Sequence, residues 1–376
     1  MNWQSYKNIL CIRPDNMGDL IMSSPAIRAL KDSFGARITV LTSSMAGGIT
    51  PLIPGIDEVL VYDLPWVKTE ATGDADLFQD LIALIRRKQF DAAVIFTVYS
   101  QNPQPTAMLA YLAGIPRVLA YCRENPYQLI NNWVPDKEPY ELIKHQVQRD
   151  LDLVEAVGAT ATNTRLHLDV DDALWSQVSS KLRDLGVDPA KPWLLLHPGV
   201  SEKKREYPVR HWVETAQMLR AEGYQLIITG SGSETLLTRK LAEQAGEGCY
   251  DAGGIFALEE FACLIKNAPV LVSVNTGTIH IAAAVKTPVV VLYAQTNPQH
   301  TPWQVPCVVL PFAVPAHARS RNEVIGFVNR TRYSEPVAMP TAPDVVQAVH
   351  KLLSPPGSPI QPFPGIPSEN PGIAAS

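Results

Sequence analysis

The sequence predicts an α/β protein of two doubly wound domains, each a parallel sheet covered by helices on both faces. Short β-branched runs alternate with amphipathic segments, and the alternation restarts after a Pro-containing stretch ending near residue 191. The chain has 376 residues, enough for two cores of about 150–190 residues each. Hydrophobic content of 46% and charged content of 18% exclude wholesale disorder.

In the first half, strands are expected at 8–13 (NILCIR), 37–42 (RITVLT), 58–62 (EVLVY) and 91–97 (DAAVIFT). Ser24 and Pro25 suit the N-cap and first turn of a helix running through Phe34 and closed by Gly35. A helix that starts near Gly18 and is bent by Pro25 fits equally well. A second helix is expected at 75–88, with Leu77, Leu81, Leu84 and Ile85 on one face. Residues 171–191 read as a helix followed by a linker. The second half then supplies strands at 193–197, 225–229, 270–274 and 288–293, with helices near 209–222, 233–245, 257–267 and 278–285. The expected domains are therefore 1–170 and 192–342, followed by a closing helix at 343–353 and a disordered Pro-rich tail at 354–376.

The net charge of −5, with basic residues dispersed, argues against nucleic-acid binding, which needs concentrated positive charge. The cysteines (Cys11, Cys122, Cys249, Cys263 and Cys307) are odd in number and form no C-x-x-C, which predicts reduced core residues in a cytosolic protein. The amino terminus lacks a secretory signal pattern, and no run of about 18 apolar residues occurs. A cytoplasmic protein is expected, with peripheral membrane contact left open.

Ligands of open parallel sheets bind beyond the carboxyl ends of the strands, so the informative residues lie in strand-end loops. The first such loop, RPDNMGDLIMSSPA at 13–26, contains Arg13, Asn16, Gly18 and Asp19. Asp19 is either a first-turn carboxylate favoured by the helix dipole or a general base. The second, HPGVSEKKREYP at 197–208, clusters Lys203, Lys204 and Arg205, as a solvated charge run or as a diphosphate site. In the third, SVNTGTIHIAAA at 273–284, Asn275 and Thr276 lead through Gly277 and Thr278 into a helix carrying His280. Glycine there admits a ligand close to the backbone, the threonines add hydroxyls, and the helix amino terminus attracts anions. His280 caps, fills or binds.

Glu234, the last residue of TGSGSE at 229–234, accepts ribose hydroxyls or simply opens a helix. That loop lacks the third glycine of a dinucleotide fingerprint, which counts against a nicotinamide oxidoreductase. The triplets DAD at 74–76 and DVD at 169–171 are read as helix-start carboxylates, not metal ligands. No P-loop, H-E-x-x-H or G-x-S-x-G is present.

From about Ile9 to Leu353 the sequence resembles glycosyltransferase family 9, the bacterial heptosyltransferases of lipopolysaccharide assembly. MGDLIMSSPA, HPGVSEKKREYP and, most specifically, SVNTGTIHIAAAVKTPVVVLYAQTNP carry the likeness. The resemblance implies a GT-B fold, in which two facing Rossmann-like domains flank a cleft and the second holds most of the nucleotide-sugar. It implies an inverting, metal-independent transfer without a cofactor, the nucleoside-diphosphate sugar (ADP-heptose favoured) being a co-substrate. The acceptor would be a hydroxyl of lipopolysaccharide core or another surface glycan, reached from the cytoplasm or the inner-membrane surface. Asp19 matches the family's proposed base. Arg205, with Lys204 beside it, falls where the family's K-x-W-P lysine contacts donor phosphate. Thr276 and Gly277 match the turn around the diphosphate, and Glu234 loosely matches a ribose-binding glutamate. Asn275 stands where many relatives carry a sugar-contacting Asp, and Arg205 replaces a lysine, so the transferred sugar stays open. An epimerase on the same fold would need no acceptor, and a non-catalytic binding protein would release no diphosphate.

Overall fold

The structure, a computed structural model, describes residues 3–67, 74–335 and 337–354. The expected disordered tail lies, beyond Ser354, outside the described residues. The first domain runs β1 (Asn8–Arg13), α1 (Met17–Phe34), β2 (Arg37–Thr42), α2 (Ser44–Gly47), β3 (Glu58–Val61), α3 (Ala75–Lys88), β4 (Ala92–Ile95), α4 (Gln104–Leu112), β5 (Val118–Cys122), β6 (Asn132–Pro135) and α5 (Gln146–Glu155). After α6 (Leu174–Asp184), the second runs β7 (Trp193–His197), α7 (Val209–Ala221), β8 (Gln225–Gly230), α8 (Thr235–Ala245), β9 (Cys249–Gly253), α9 (Leu258–Asn267), β10 (Leu271–Val274), α10 (Gly277–Val285), β11 (Val289–Ala294), β12 (Cys307–Phe312), α11 (Glu323–Arg332) and α12 (Ala342–Leu353).

Each domain has a 6-stranded sheet, ordered β3-β2-β1-β4-β5-β6 and β12-β11-β10-β7-β8-β9. Every strand pairing is parallel. The two orders are the same doubly wound topology, with switch points between β1 and β4 and between β7 and β10. All strands expected from sequence are present within two residues at each end; β5, β6, β9 and β12 are additional. Of these, β6, β9 and β12 lie at or near sheet margins, where strands are short, half-exposed and able to hold Pro135 or Pro311. Along α3, Leu81, Ile82 and Ile85 are buried, but Leu77 of the expected apolar face is 56% exposed. The cysteines are free; Cys11, Cys122 and Cys263 are core residues as expected, whereas Cys249 and Cys307, on the marginal strands β9 and β12, are half-buried.

Of the two starts open for the first helix, the earlier one occurs. Asn16 N-caps α1, and Pro25 sits inside it. Proline has no N–H to give the Ile21 carbonyl; the Ser24 hydroxyl donates to that carbonyl instead, at 2.7 Å. Gly35 closes the helix in the left-handed conformation that favours glycine, its N–H donating to Lys31 O at 2.8 Å.

One hydrophobic cluster joins the domains. It runs from α1 and α5 through Leu166, Leu168, Val178 and Leu182 to Trp193, Ile279 and Ile281, all buried. A strap at 297–304, following β11, reaches back to the first domain. Gln299, fully buried, donates to Glu138 at 3.2 and 3.3 Å, while its carbonyl accepts from Gln146 N at 3.0 Å. Trp303 Nε1 donates to Thr164 O at 2.8 Å. Beneath the strap, buried Arg149 holds Asp136 in a bidentate pair (2.8 and 3.0 Å), pairs with Glu138 and donates to Thr97 O at 3.0 Å.

Two expectations concern this interface. Removing one member of a buried ionic group leaves the rest uncompensated. Arg149→Met should therefore lower unfolding free energy by about 3–5 kcal/mol in urea titrations; an unchanged midpoint would show that the group is dispensable. The second concerns His145, whose tautomer is set: Nε2–H donates to Thr301 O (2.7 Å) and Nδ1 accepts from Val147 N (3.2 Å). Burial pushes this imidazole down to about 4, against an ordinary 6.5. Its stabilisation is therefore complete above about 6.5 and lost as pH falls through about 4. His145→Asn, which keeps a capping acceptor but does not titrate, should make the melting temperature fall less steeply as pH drops across that window.

Candidate active site

The carboxyl ends of the two sheets face each other across a cleft of about 560 Å3, a volume suited to a small ligand. The loop after β1 and the start of α1 form one wall; the loops after β7, β8 and β10 and the start of α10 form the other. The walls meet at two glycines. A Cβ on Gly18 would lie 2.8 Å from His280 Cδ2 and 3.1 Å from Gly277 Cα, and one on Gly277 would lie 3.0 Å from Met17 Cε. Only bare backbone lets the amino termini of α1 and α10 come this close.

Asp19 occupies the third position of α1 and divides its carboxylate between two tasks. Oδ2 accepts from Asn16 N at 3.2 Å, closing a capping box, while Oδ1 accepts from Arg13 Nη2 at 3.2 Å. Asp19 thus caps the helix, as the first of its two readings expects, and it also lines the cleft. Arg13 is fully buried beneath the cleft floor. Its Nε lies 3.2 Å from Asp15, which also accepts from Gln101. Arg13 therefore orients the acidic loop and does not line the cleft.

On the opposite wall, Arg205 Nη1 donates to Asn275 O at 3.1 Å and faces the cleft. The structure separates it from its neighbours in sequence. The 3-10 turn at Lys203–Arg205 directs Lys203 and Lys204 into an adjoining cavity of about 660 Å3, and Lys204 pairs with Glu202 at 2.6 Å. One cation of the expected three therefore lines the cleft. Thr276 N-caps α10 without a side-chain cap bond, and its buried Oγ1 has no hydrogen-bond partner among the described residues. His280 Nδ1 is likewise buried and unpartnered there. With Gly277 and Thr278 beside them, these groups and the first-turn amides form a surface able to bind an anion.

Asn275 is committed elsewhere. Its Nδ2 donates to Ala294 O (3.2 Å) and Thr296 Oγ1 (3.1 Å), and its Oδ1 accepts from Ala294 N (3.1 Å). The side chain ties β10 to β11 instead of reaching out for a sugar. Glu234 lines both cavities; one of its oxygens accepts from Ser231 N and Oγ at 2.7 and 2.8 Å. A Cβ on Gly199 would lie 2.1 Å from its other oxygen, so this glycine makes room for the carboxylate.

Sequence reasoning missed His300, which reaches the cleft from the strap with Nε2 3.5 Å from Asp19 Oδ1. Its place in QTNPQHTPW has no periodicity to mark it, and its partner is remote in sequence. Burial, with His300, His145 and Arg205 nearby, holds the His280 imidazole well below its ordinary range. Burial with Arg13, Arg205 and His145 does the same for His300. His197, buried behind the β7 loop, is pushed down to about 4 against the opposing influence of Glu234. Among the described residues no cluster of three or more His, Cys, Asp or Glu could hold a metal. Asp74 caps α3, and Asp171 accepts from Ala173 N before α6, as read from the sequence.

Comparison with known proteins now bears on this cleft. The model of glycosyltransferase family 9 (heptosyltransferase) matches residues 79–354. Lipopolysaccharide heptosyltransferase 2 of Escherichia coli (strain K12) is 27% identical over 310 residues, covering 78% of this chain and 84% of that protein. The solved family 9 glycosyl transferase of Veillonella parvula superposes with a TM-score of 0.73 at 18% identity, over 93% of this chain and 97% of the other. The structure of E. coli ADP-heptose lps heptosyltransferase II gives 0.69 at 22% identity, over 92% and 98%. Both likenesses span the two domains and their facing cleft, the GT-B arrangement. The chain belongs to glycosyltransferase family 9, and it is a glycosyltransferase.

Proposed function

We propose that this protein transfers a heptose from ADP-heptose to a hydroxyl of a lipopolysaccharide-core acceptor, with inversion at the anomeric carbon and no metal ion. One observation carries the reading: the Asp19 carboxylate lies across the cleft from an anion-binding wall made by Arg205 and the start of α10. ADP-heptose is named for the E. coli heptosyltransferase II that superposes on this chain. Asp19 lies before the matched span of 79–354, so its role rests on geometry.

In this reading the acceptor hydroxyl attacks the anomeric carbon from the side facing Asp19. The new C–O bond forms as the bond from that carbon to the diphosphate oxygen breaks. The hydroxyl proton goes to Asp19, and the bonding pair leaves with ADP. Arg205, the α10 amides and the Thr276 hydroxyl receive the developing charge. They act from a preset position, because Asn275 holds their loop to β11 and its own carbonyl anchors Arg205. Glu234 would accept ribose hydroxyls in this reading. Among the described residues no helix is long and apolar enough to cross a membrane; a glycolipid acceptor would bring the enzyme to the cytoplasmic face of the inner membrane as a peripheral visitor.

Two measurements test this. ADP at 100 times its Kd should stabilise the fold by about 2.7 kcal/mol, seen as a raised melting temperature in metal-free buffer and largely lost in Arg205→Ala. No shift from ADP, GDP, UDP, CDP or dTDP would remove the nucleotide-sugar reading. Asp19→Asn should lower kcat about 10²–10⁴-fold while the donor still binds; near wild-type turnover would take the base role from Asp19.

A further inference from the structure

We propose that His300 relays the proton from Asp19 to solvent, so that base and relay form a pair built across the domain boundary. The inference rests on the transfer reading above.

The positions of the two groups are set independently. Asn297 Oδ1 accepts from Gln299 N at 2.9 Å, which turns its Nδ2 toward His300 Nε2 at 3.2 Å. Nε2 is therefore an acceptor, and the neutral ring carries its proton on Nδ1. Asp19 Oδ1 lies 3.5 Å from this lone pair, and two acceptors share no hydrogen. Protonation of Asp19 supplies the missing hydrogen. As the acceptor O–H breaks, Asp19 takes the proton; Oδ1–H then replaces the Asn297 amide at Nε2 and passes the proton on, the Nδ1 proton leaves to water, and the carboxylate is restored. The His300 side chain is 21% exposed, against 11% for Asp19, which gives the imidazolium an outlet to water.

The charged and titratable groups around the ring favour brief occupancy. Arg13 lies beneath it, Arg205 lies on the β7 loop, and His145 belongs to the first domain. His280 of α10 stands edge-on, with ring centroids 6.3 Å apart. The cations and the polar edge repel an imidazolium, so the proton moves on. Although His300 belongs to the chain of the second domain, its neighbour Gln299 is locked into the first by Glu138 and Gln146. Relative movement of the domains would thus leave the Asp19–His300 pair together.

The test compares wild type, His300→Ala, His300→Gln and Asp19→Asn for ADP release from ADP-heptose with truncated lipopolysaccharide core. His300→Ala should lose about 10- to 100-fold in kcat with little change in donor KM. Added imidazole should restore part of that loss, and substituted imidazoles should restore more as their basicity rises. His300→Gln, with no cavity, and Asp19→Asn, with no base, should not respond. A purely structural role for His300 would give no dependence on the basicity of the added amine. Wild-type turnover together with a full-rate His300→Ala, or with a loss that imidazole does not relieve, overturns the relay alone. A wild type that transfers no heptose overturns the transfer reading, and the relay with it.

Discussion

Two backbones meet with no side chain between them, Gly18 on α1 and Gly277 on α10, and the cleft depends on that contact. Each helix brings roughly half a positive charge at its amino terminus. Two such ends side by side repel unless negative charge lies near both. Asp19 provides one such charge and is already bonded into its own helix start. The second wall, with an uncapped Thr276 and Arg205 at its edge, is where a diphosphate would complete the balance.

The same topology occurs twice, and this places the contact. In each sheet the strand order reverses beside the first strand of its domain, opening a crevice at the carboxyl edge. The domains face each other along these edges, so the loop after β1 and the loop after β10 share a single space. A continuous hydrophobic cluster through α6 holds the sheets in that relation, with the strap and its buried Gln299 at the other side of the boundary. Domain packing is therefore a condition for assembling the site.

Below the cleft lies an unusual density of buried charge. Arg13 and Asp15 support Asp19, and Ser23 on α1 donates to Asp150 on α5 at 2.6 Å. Burial pushes the Asp150 carboxyl up to about 6 even with Arg13 and Arg149 opposing the shift. Arg149 then links α5 to Asp136 and Glu138, and Glu138 to the strap. Such groups are weak contributors to net stability compared with apolar packing. Here they connect the acidic loop, α5 and the element that carries His300, and what they provide is alignment.

How much of this was legible in the sequence followed from the range of each interaction. Local periodicity determined the doubly wound class, the strands flanking both switch points and most helices, because those patterns repeat within a few residues. The strand-end loops also stood out locally, and with them Asp19, Arg205, Glu234 and the Thr276–Thr278 turn. Helix α5 was illegible because part of its buried face is Gln146, Arg149 and Asp150, which breaks the apolar pattern that marks a helix. Strands β6, β9 and β12 were illegible because half-exposed marginal residues carry little hydrophobic signal, whereas β5 is internal and buried and that reason does not cover it. The turn that takes Lys203 and Lys204 away from Arg205, the commitment of Asn275 to β11 and the arrival of His300 at Asp19 were decided only by tertiary structure. Each depends on a partner from a distant element or on the direction of a side chain, and spacing along the chain records neither.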